Sequence, residues 1–289
     1  MPPVTLSDRR LHAYRPDLAD ARLEGQVEAQ RFVPGQPARI SVAVADVLSA
    51  PRADTGVNTQ FLFGDDVLVY DVADGWAWVQ AERDGYVGYV REAETGARGP
   101  APTHLVCVPR TFVYPGPDLR FRRAGALSLG SAVTVVGAAE TRGTTYALLE
   151  DGRAVIAGHL VPAEQHAPDY VGVAETLFGT PYLWGGASGF GIDCSGLVQL
   201  AMRMAGRDVL RDSDMQAAGL GEPLDPGADH AGLRRGDLVF WKGHVAIMTD
   251  SKNMIHANGH TMTVAREGLR EAIDRIGYLY GIPTGFRRP

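Results

Sequence analysis

The chain has 289 residues, of which 45% are apolar and 21% charged. These proportions are ordinary for a globular protein, and the length exceeds the ~250 residues past which a single core rarely grows. A formal charge of −6 excludes the overall basic character of a nucleic-acid-binding chain or of one drawn to an anionic membrane. Two cysteines, Cys107 and Cys194, form no disulfide framework, and no apolar run approaches the ~20 residues needed to cross a bilayer.

The opening stretch, MPPVTLSDRRLHAYRPD, has Pro and Asp where a signal peptide needs Leu and Val, so a cytoplasmic location is expected. Leu18, Leu23 and Val27 mark one face of a short helix within DLADARLEGQVEAQ. Residues 1–35 are therefore read as a docked N-terminal arm.

From about Pro37 the apolar period shortens. ISVAVADVLSAP, QFLFGDDVLVYDV, WAWVQAE and GYVGYV are β-rich runs separated by Gly, Asp and Asn turns. HLVCVPRTFVYPGP, SAVTVVGAA, TYALLE and AVIAGHLVP repeat their order, an internal repeat of roughly 60 residues suited to two small β-barrels. The barrels are placed at residues 36–95 and 103–162, with REAETGARGPAPT between them as a Gly- and Pro-rich linker. Both units resemble bacterial SH3-like domains, the closing Gly88-Tyr89-Val90 in particular. Trp76, Trp78, Tyr86 and Tyr89 are open to two readings, barrel core or recognition surface.

The region 163–289 has a different rhythm. YVGVAETLFG reads as a helix with Val171, Ala174 and Phe178 on one face. TPYLWGGASGFGIDCSGLVQLAMRM then runs from a glycine loop into a helix carrying Leu197, Val198, Leu200, Ala201 and Met204 on one face. Glycines at 185, 186, 189 and 191 let that loop bring its backbone close to something else. Asp193 is suited to the N-cap, which places Cys194 in the first turn, where free N–H groups and the helix dipole are expected to lower a thiol pKa. RDSDMQAAG offers a short helix with Ser213 as N-cap and Gln216 completing a capping box. LRRGDLVFWKG, HVAIMTD and NMIHANG come next as three β-runs, giving an α+β layout.

His244 heads the second of these runs and His256 lies on the third. Adjacent antiparallel strands can bring two such side chains within hydrogen-bond reach. A nucleophilic cysteine needs this partnership, an imidazole as base and a second polar group to fix its tautomer. The other six histidines are assigned to the surface or to satisfied core positions.

PYLWGG, DCSGLVQ, Asp212-Ser213 with Gln216, GDLVFW, GHVAIM and IHANG together resemble the NlpC family of cell-wall cysteine peptidases. The resemblance covers about Ala163 to Pro289. It implies a multidomain chain in which two small all-β SH3-like barrels precede an α+β papain-like catalytic domain. It further implies hydrolysis of the γ-D-glutamyl-L-diamino acid bond in peptidoglycan stem peptides with a free N-terminal L-Ala. Cys194 would be the nucleophile, His244 the base and His256 the orienting third member. The Cys194 N–H and the Tyr182 hydroxyl would stabilise the oxyanion. Asp193 and Ser195 would help to bind the stem peptide, and Asp212 with Ser213 would meet its free amine. Tyr86, with Tyr89 as rival, is the expected tyrosine of a first barrel that closes one end of the cleft, while Gly56 stands where that pattern asks for glutamate. Neither a cofactor nor a metal is expected, since there is no H-E-x-x-H helix and no cysteine pair at ligand spacing. The competing readings are an amidase or acyltransferase on the same scaffold and an inactive peptidoglycan-binding protein.

Overall fold

The computed structural model describes residues 8–289, the side chain of Leu279 apart, so the first seven residues of the expected arm lie outside the described residues. Two compact units emerge: residues up to 106 with 111–163, and residues 107–110 with 164–289.

In the first unit, strands Gln36–Ile40, Val44–Leu48, Val57–Leu62, Asp66–Ala73, Trp76–Ala81, Val87–Arg91 and Thr95–Ala97 form one seven-stranded sheet. Ala73 pairs with Trp76 around Asp74 and Gly75, whose φ values of 51° and 75° define the turn that matches strand twist in a two-residue hairpin. The same device recurs where Thr141 pairs with Thr144 around Arg142 and Gly143, at φ 53° and 76°. The second β region divides its strands between a five-stranded and a three-stranded sheet. It joins the first through the Ala132 N–H, which donates to the Phe63 carbonyl at 2.8 Å.

Ile40, Val47, Phe61, Val67, Val79 and Val90 make the core of the seven-stranded sheet, and Tyr86 packs among them with 2% of its surface exposed. Its ring lies in the barrel core, as large apolar rings generally do. Tyr89 is half-buried, and its hydroxyl accepts from Arg15 at 3.1 Å. Ahead of the barrel, Ala13 and Leu18 pack against Trp78 and Val87. The helix expected there is only a 3-10 turn, Ala21–Leu23, capped by the Asp20 carboxylate. Its apolar spacing fits a docked irregular segment equally well.

The second unit carries four helices, α1 (Tyr170–Thr176), α2 (Cys194–Met204), α3 (Ser213–Gly219) and α4 (Leu269–Tyr280). They accompany a six-stranded antiparallel sheet in the order Glu222–Pro223, Gly285–Arg288, Leu238–Trp241, His244–Met248, Asn253–Asn258, Thr263–Gly268. The sequence reading found three of the four inner strands, missing Gly285–Arg288, and neither edge nor α4. Val171 and Ala174 are buried on α1 and Leu177 at its C-cap, whereas Phe178 lies beyond the helix end and is 59% exposed. Helix α2 is buried on every face except Arg203, against the one-sided apolar stripe expected of it. Small residues at 195, 196 and 201 make that possible, because they let neighbouring backbone approach all round.

Candidate active site

The nucleophile is held where the sequence places it. Asp193 is the N-cap of α2, its Oδ1 accepting from the Gly196 N–H at 2.7 Å, and Cys194 is the first helical residue. The glycine loop closes directly on this helix start. A Cβ on Gly196 would stand 2.3 Å from the Gly186 carbonyl oxygen, and one on Gly186 would stand 2.6 Å from that of Gly191. No larger residue fits at either position without moving backbone.

Asp193 does more than cap. Its Oδ2 accepts from the Gly185 N–H at 3.0 Å, so one carboxylate holds both loop and helix. Opposite it sits Arg211, 1% exposed, donating to Asp193 Oδ1 at 3.0 Å and Oδ2 at 2.7 Å, to Ser195 Oγ at 2.8 Å and to the Gly186 carbonyl at 3.2 Å. Burying such a pair is costly, and here every lone pair of the carboxylate finds a donor. Asp193 and Ser195 are 9% and 5% exposed. Both side chains are held by Arg211 and fix the backbone around Cys194.

The capping box is corrected. Asp212 is the N-cap of α3, and Ser213 is its first helical residue. Gln216 reaches away from the helix start, its amide donating to the Ser195 carbonyl at 3.0 Å and the Leu210 carbonyl at 2.9 Å. Asp212 and Ser213 are both half-buried at the start of α3. Tyr182 is half-buried too, and burial, followed by the nearby charges of Cys194 and Asp193, pushes its phenol up to about 12. It remains a hydrogen-bond donor through neutral pH, as an oxyanion stabiliser must.

On the sheet, Trp241 pairs with His244 across the turn Lys242-Gly243, where Gly243 takes φ 75°. The structure brings the two expected histidines together: His244 Nε2 lies 2.8 Å from His256 Nδ1. The Val245 N–H, one residue along from the base, hydrogen-bonds Cys194, as does the Ser195 N–H. Behind His256 stands a residue the sequence reading missed. Glu267 Oε2 is 3.2 Å from His256 Nε2, and Arg275 of α4 clamps the carboxylate with Nε at 2.8 Å and Nη2 at 2.5 Å.

The electrostatics differ from expectation. Burial, reinforced by the negative charge of Asp193, pushes the Cys194 thiol up to about 12, and the Val245 and Ser195 amides offset this only in part. The positive end of α2 is already matched to the Asp193 carboxylate, which leaves little of it for the sulfur. Burial, then the positive charges of His256 and Arg275, depresses His244 to about 3. Both shifts favour the neutral forms of the Cys194 thiol and the His244 imidazole. Thiolate ultraviolet absorbance, measured as wild type minus Cys194→Ala, is expected to stay near zero at pH 7 and to grow only above the ordinary cysteine range. A full thiolate step completed below pH 7 would contradict this.

Residues 179–273 match the model of the NlpC/P60 family, and residues 47–94 match that of the bacterial dipeptidyl-peptidase Sh3 domain. The gamma-D-glutamyl-L-lysine dipeptidyl-peptidase of Bacillus subtilis is 30% identical over 227 residues, covering 71% of this chain and 73% of that protein. The chain belongs to the NlpC/P60 family. The Bacillus cereus protein of the same name is 29% identical over 229 residues, covering 70% of this chain and 67% of that one. An NlpC/P60 family protein from Bacillus cereus, known from its crystal structure, shares the fold with a TM-score of 0.71 at 24% identity, covering 88% of this chain and 99% of its own. The chain is thus an NlpC/P60 cysteine peptidase with an N-terminal SH3-like fold, as the sequence motifs implied.

Proposed function

We propose that this NlpC/P60 peptidase hydrolyses the γ-D-glutamyl-L-diamino acid bond of peptidoglycan stem peptides, releasing L-Ala-D-Glu from peptides whose L-Ala amine is free. The reading is carried by the alignment of Cys194 at a helix start with His244 and His256 on neighbouring strands, 2.8 Å apart. It is supported by similarity to relatives named for γ-D-glutamyl-L-lysine dipeptidyl-peptidase activity. Because both shifts favour the neutral forms of thiol and imidazole, attack and deprotonation are coupled. The Cys194 proton passes to His244 as sulfur adds to the carbonyl carbon, with the Cys194 N–H and the Tyr182 hydroxyl receiving the oxyanion. The leaving amine then takes the proton from His244, and water hydrolyses the thioester.

Asp212, half-buried at the start of α3, is the carboxylate assigned here to the substrate ammonium. A charge-assisted contact of this kind contributes about 1.5–3 kcal/mol, or about 10- to 100-fold. L-Ala-γ-D-Glu-L-Lys, its diaminopimelate counterpart and both N-acetylated forms are to be digested and the products weighed. The expected result is L-Ala-D-Glu plus free diamino acid, with the acetylated peptides cut at least about tenfold more slowly. Equal turnover of free and blocked peptides would remove the amine requirement. Cleavage at a different bond would point to an amidase or acyltransferase.

A further inference from the structure

We propose that Glu267 is a positioning residue that sets the order of protons along His256 and His244, leaving Nδ1 of His244 as the bare nitrogen that serves Cys194. This rests on the reading of Cys194, His244 and His256 as the reacting group.

The placement comes from strand register. Met254 pairs with Glu267 and His256 with Ala265, so Glu267 is the diagonal neighbour of His256 on one face of the sheet. His244 stands in the same diagonal relation one strand further on, and its Nε2 reaches His256 Nδ1 at 2.8 Å. The three side chains thus step across three successive strands and end on Arg275 of α4.

Two imidazoles that each carry one proton and share one hydrogen bond can order their protons in either of two ways. In one, His244 donates through Nε2 and its Nδ1 is free to accept. In the other, His256 donates, and the single proton left to His244 occupies Nδ1, which disables the base. An ionised carboxylate beyond His256 removes the ambiguity because it can only accept. The His256 proton then resides on Nε2, His256 Nδ1 must accept, and the shared proton belongs to His244 Nε2.

Arg275 keeps that carboxylate ionised. Burial alone would raise the Glu267 pKa, but the hydrogen bonds from Arg275, with the His256 ring close by, outweigh it and hold the group at about 2. His256 Nε2 approaches Glu267 Oε2 at 3.2 Å without the alignment of a full hydrogen bond. During attack the Cys194 S–H bond breaks and an N–H bond forms at His244 Nδ1, while the sulfur electron pair goes to the carbonyl carbon. The imidazolium keeps its Nε2–H on His256, and the Glu267 charge lies one ring further back. On bond cleavage the proton leaves Nδ1 for the departing amine.

The bland alternative is an ion pair that merely ties α4 to the sheet, and the two differ in what Glu267→Gln changes. Nitrogen-15 spectra of the histidine rings are expected to show His244 protonated at Nε2 in wild type and to lose that uniformity in the variant. kcat is expected to fall by between about 10²- and 10⁴-fold with KM little changed, the range seen when an orienting acid is neutralised. Alkylation of Cys194 by iodoacetamide at neutral pH is expected to slow in parallel, and that readout holds whichever peptide the enzyme cuts. Arg275→Gln lets Glu267 return toward 4.5, so the acid limb of kcat moves up in pH. Stability has the same sign. A carboxylate depressed from 4.5 to about 2 stabilises fully above the higher value and loses its contribution as pH falls to the lower. The Tm gap between wild type and Glu267→Gln therefore narrows over that window. A wild-type His244 carrying its proton on Nδ1 would overturn the proposal. So would a Glu267→Gln variant that is less stable yet unchanged in ring tautomers and alkylation rate.

Discussion

Cys194→Ala abolishes hydrolysis, with a fall in kcat on the order of 10⁴- to 10⁶-fold, while the protein stays folded. The reason is chemical. Without the Cys194 sulfur there is no nucleophile, and the half-buried imidazole of His244 is a base without a proton to take. His244→Ala is expected to cost nearly as much. The double variant is expected to fall no further than either single one, because nucleophile and base act as one unit and their losses do not add. Additive losses would mean that the two residues serve separate steps. Near-normal activity in Cys194→Ala would mean that the sulfur is not the nucleophile.

The second large effect concerns stability. Arg211→Met removes a buried guanidinium and leaves the Asp193 carboxylate with only the Gly185 and Gly196 amides and the Ser195 hydroxyl. Breaking one side of a buried pair costs about 3–5 kcal/mol, which for a unit of this size lowers Tm by roughly 10 °C or more. Replacing both partners, as Asp193→Asn with Arg211→Met, is expected to recover part of that loss, since the uncompensated charge is gone. Activity is expected to drop in the single variant beyond what unfolding explains, because the same carboxylate aligns the loop with the Cys194 amide. An Arg211→Met variant less than about 1 kcal/mol below wild type would show that the pair is peripheral.

What could be read in the sequence was what is local. Asp193 as N-cap and Cys194 in the first turn depend on a few neighbouring residues. His244 and His256 could be placed because each sits on a short β-run with a regular alternation. Arg211 escaped notice because its partner lies eighteen positions away, and an arginine in a polar loop is ordinarily exposed. Glu267 escaped because its strand is half exposed and reads TVAREG, with no apolar alternation to mark it. Asp212 and Ser213 are both good N-cap residues, so the helix start was displaced by one. The thiol pKa runs against the helix-dipole expectation because burial raises it and the capping Asp193 adds a negative charge beside it.

The most direct measurement is acid quenching of the enzyme during turnover of L-Ala-γ-D-Glu-L-Lys, with mass spectrometry of its peptides. The expected result is an L-Ala-γ-D-glutamyl adduct held as a thioester on Cys194 and absent from Cys107. Turnover with Cys194 unmodified at every time sampled, or an adduct on another residue, would contradict a mechanism built on that sulfur.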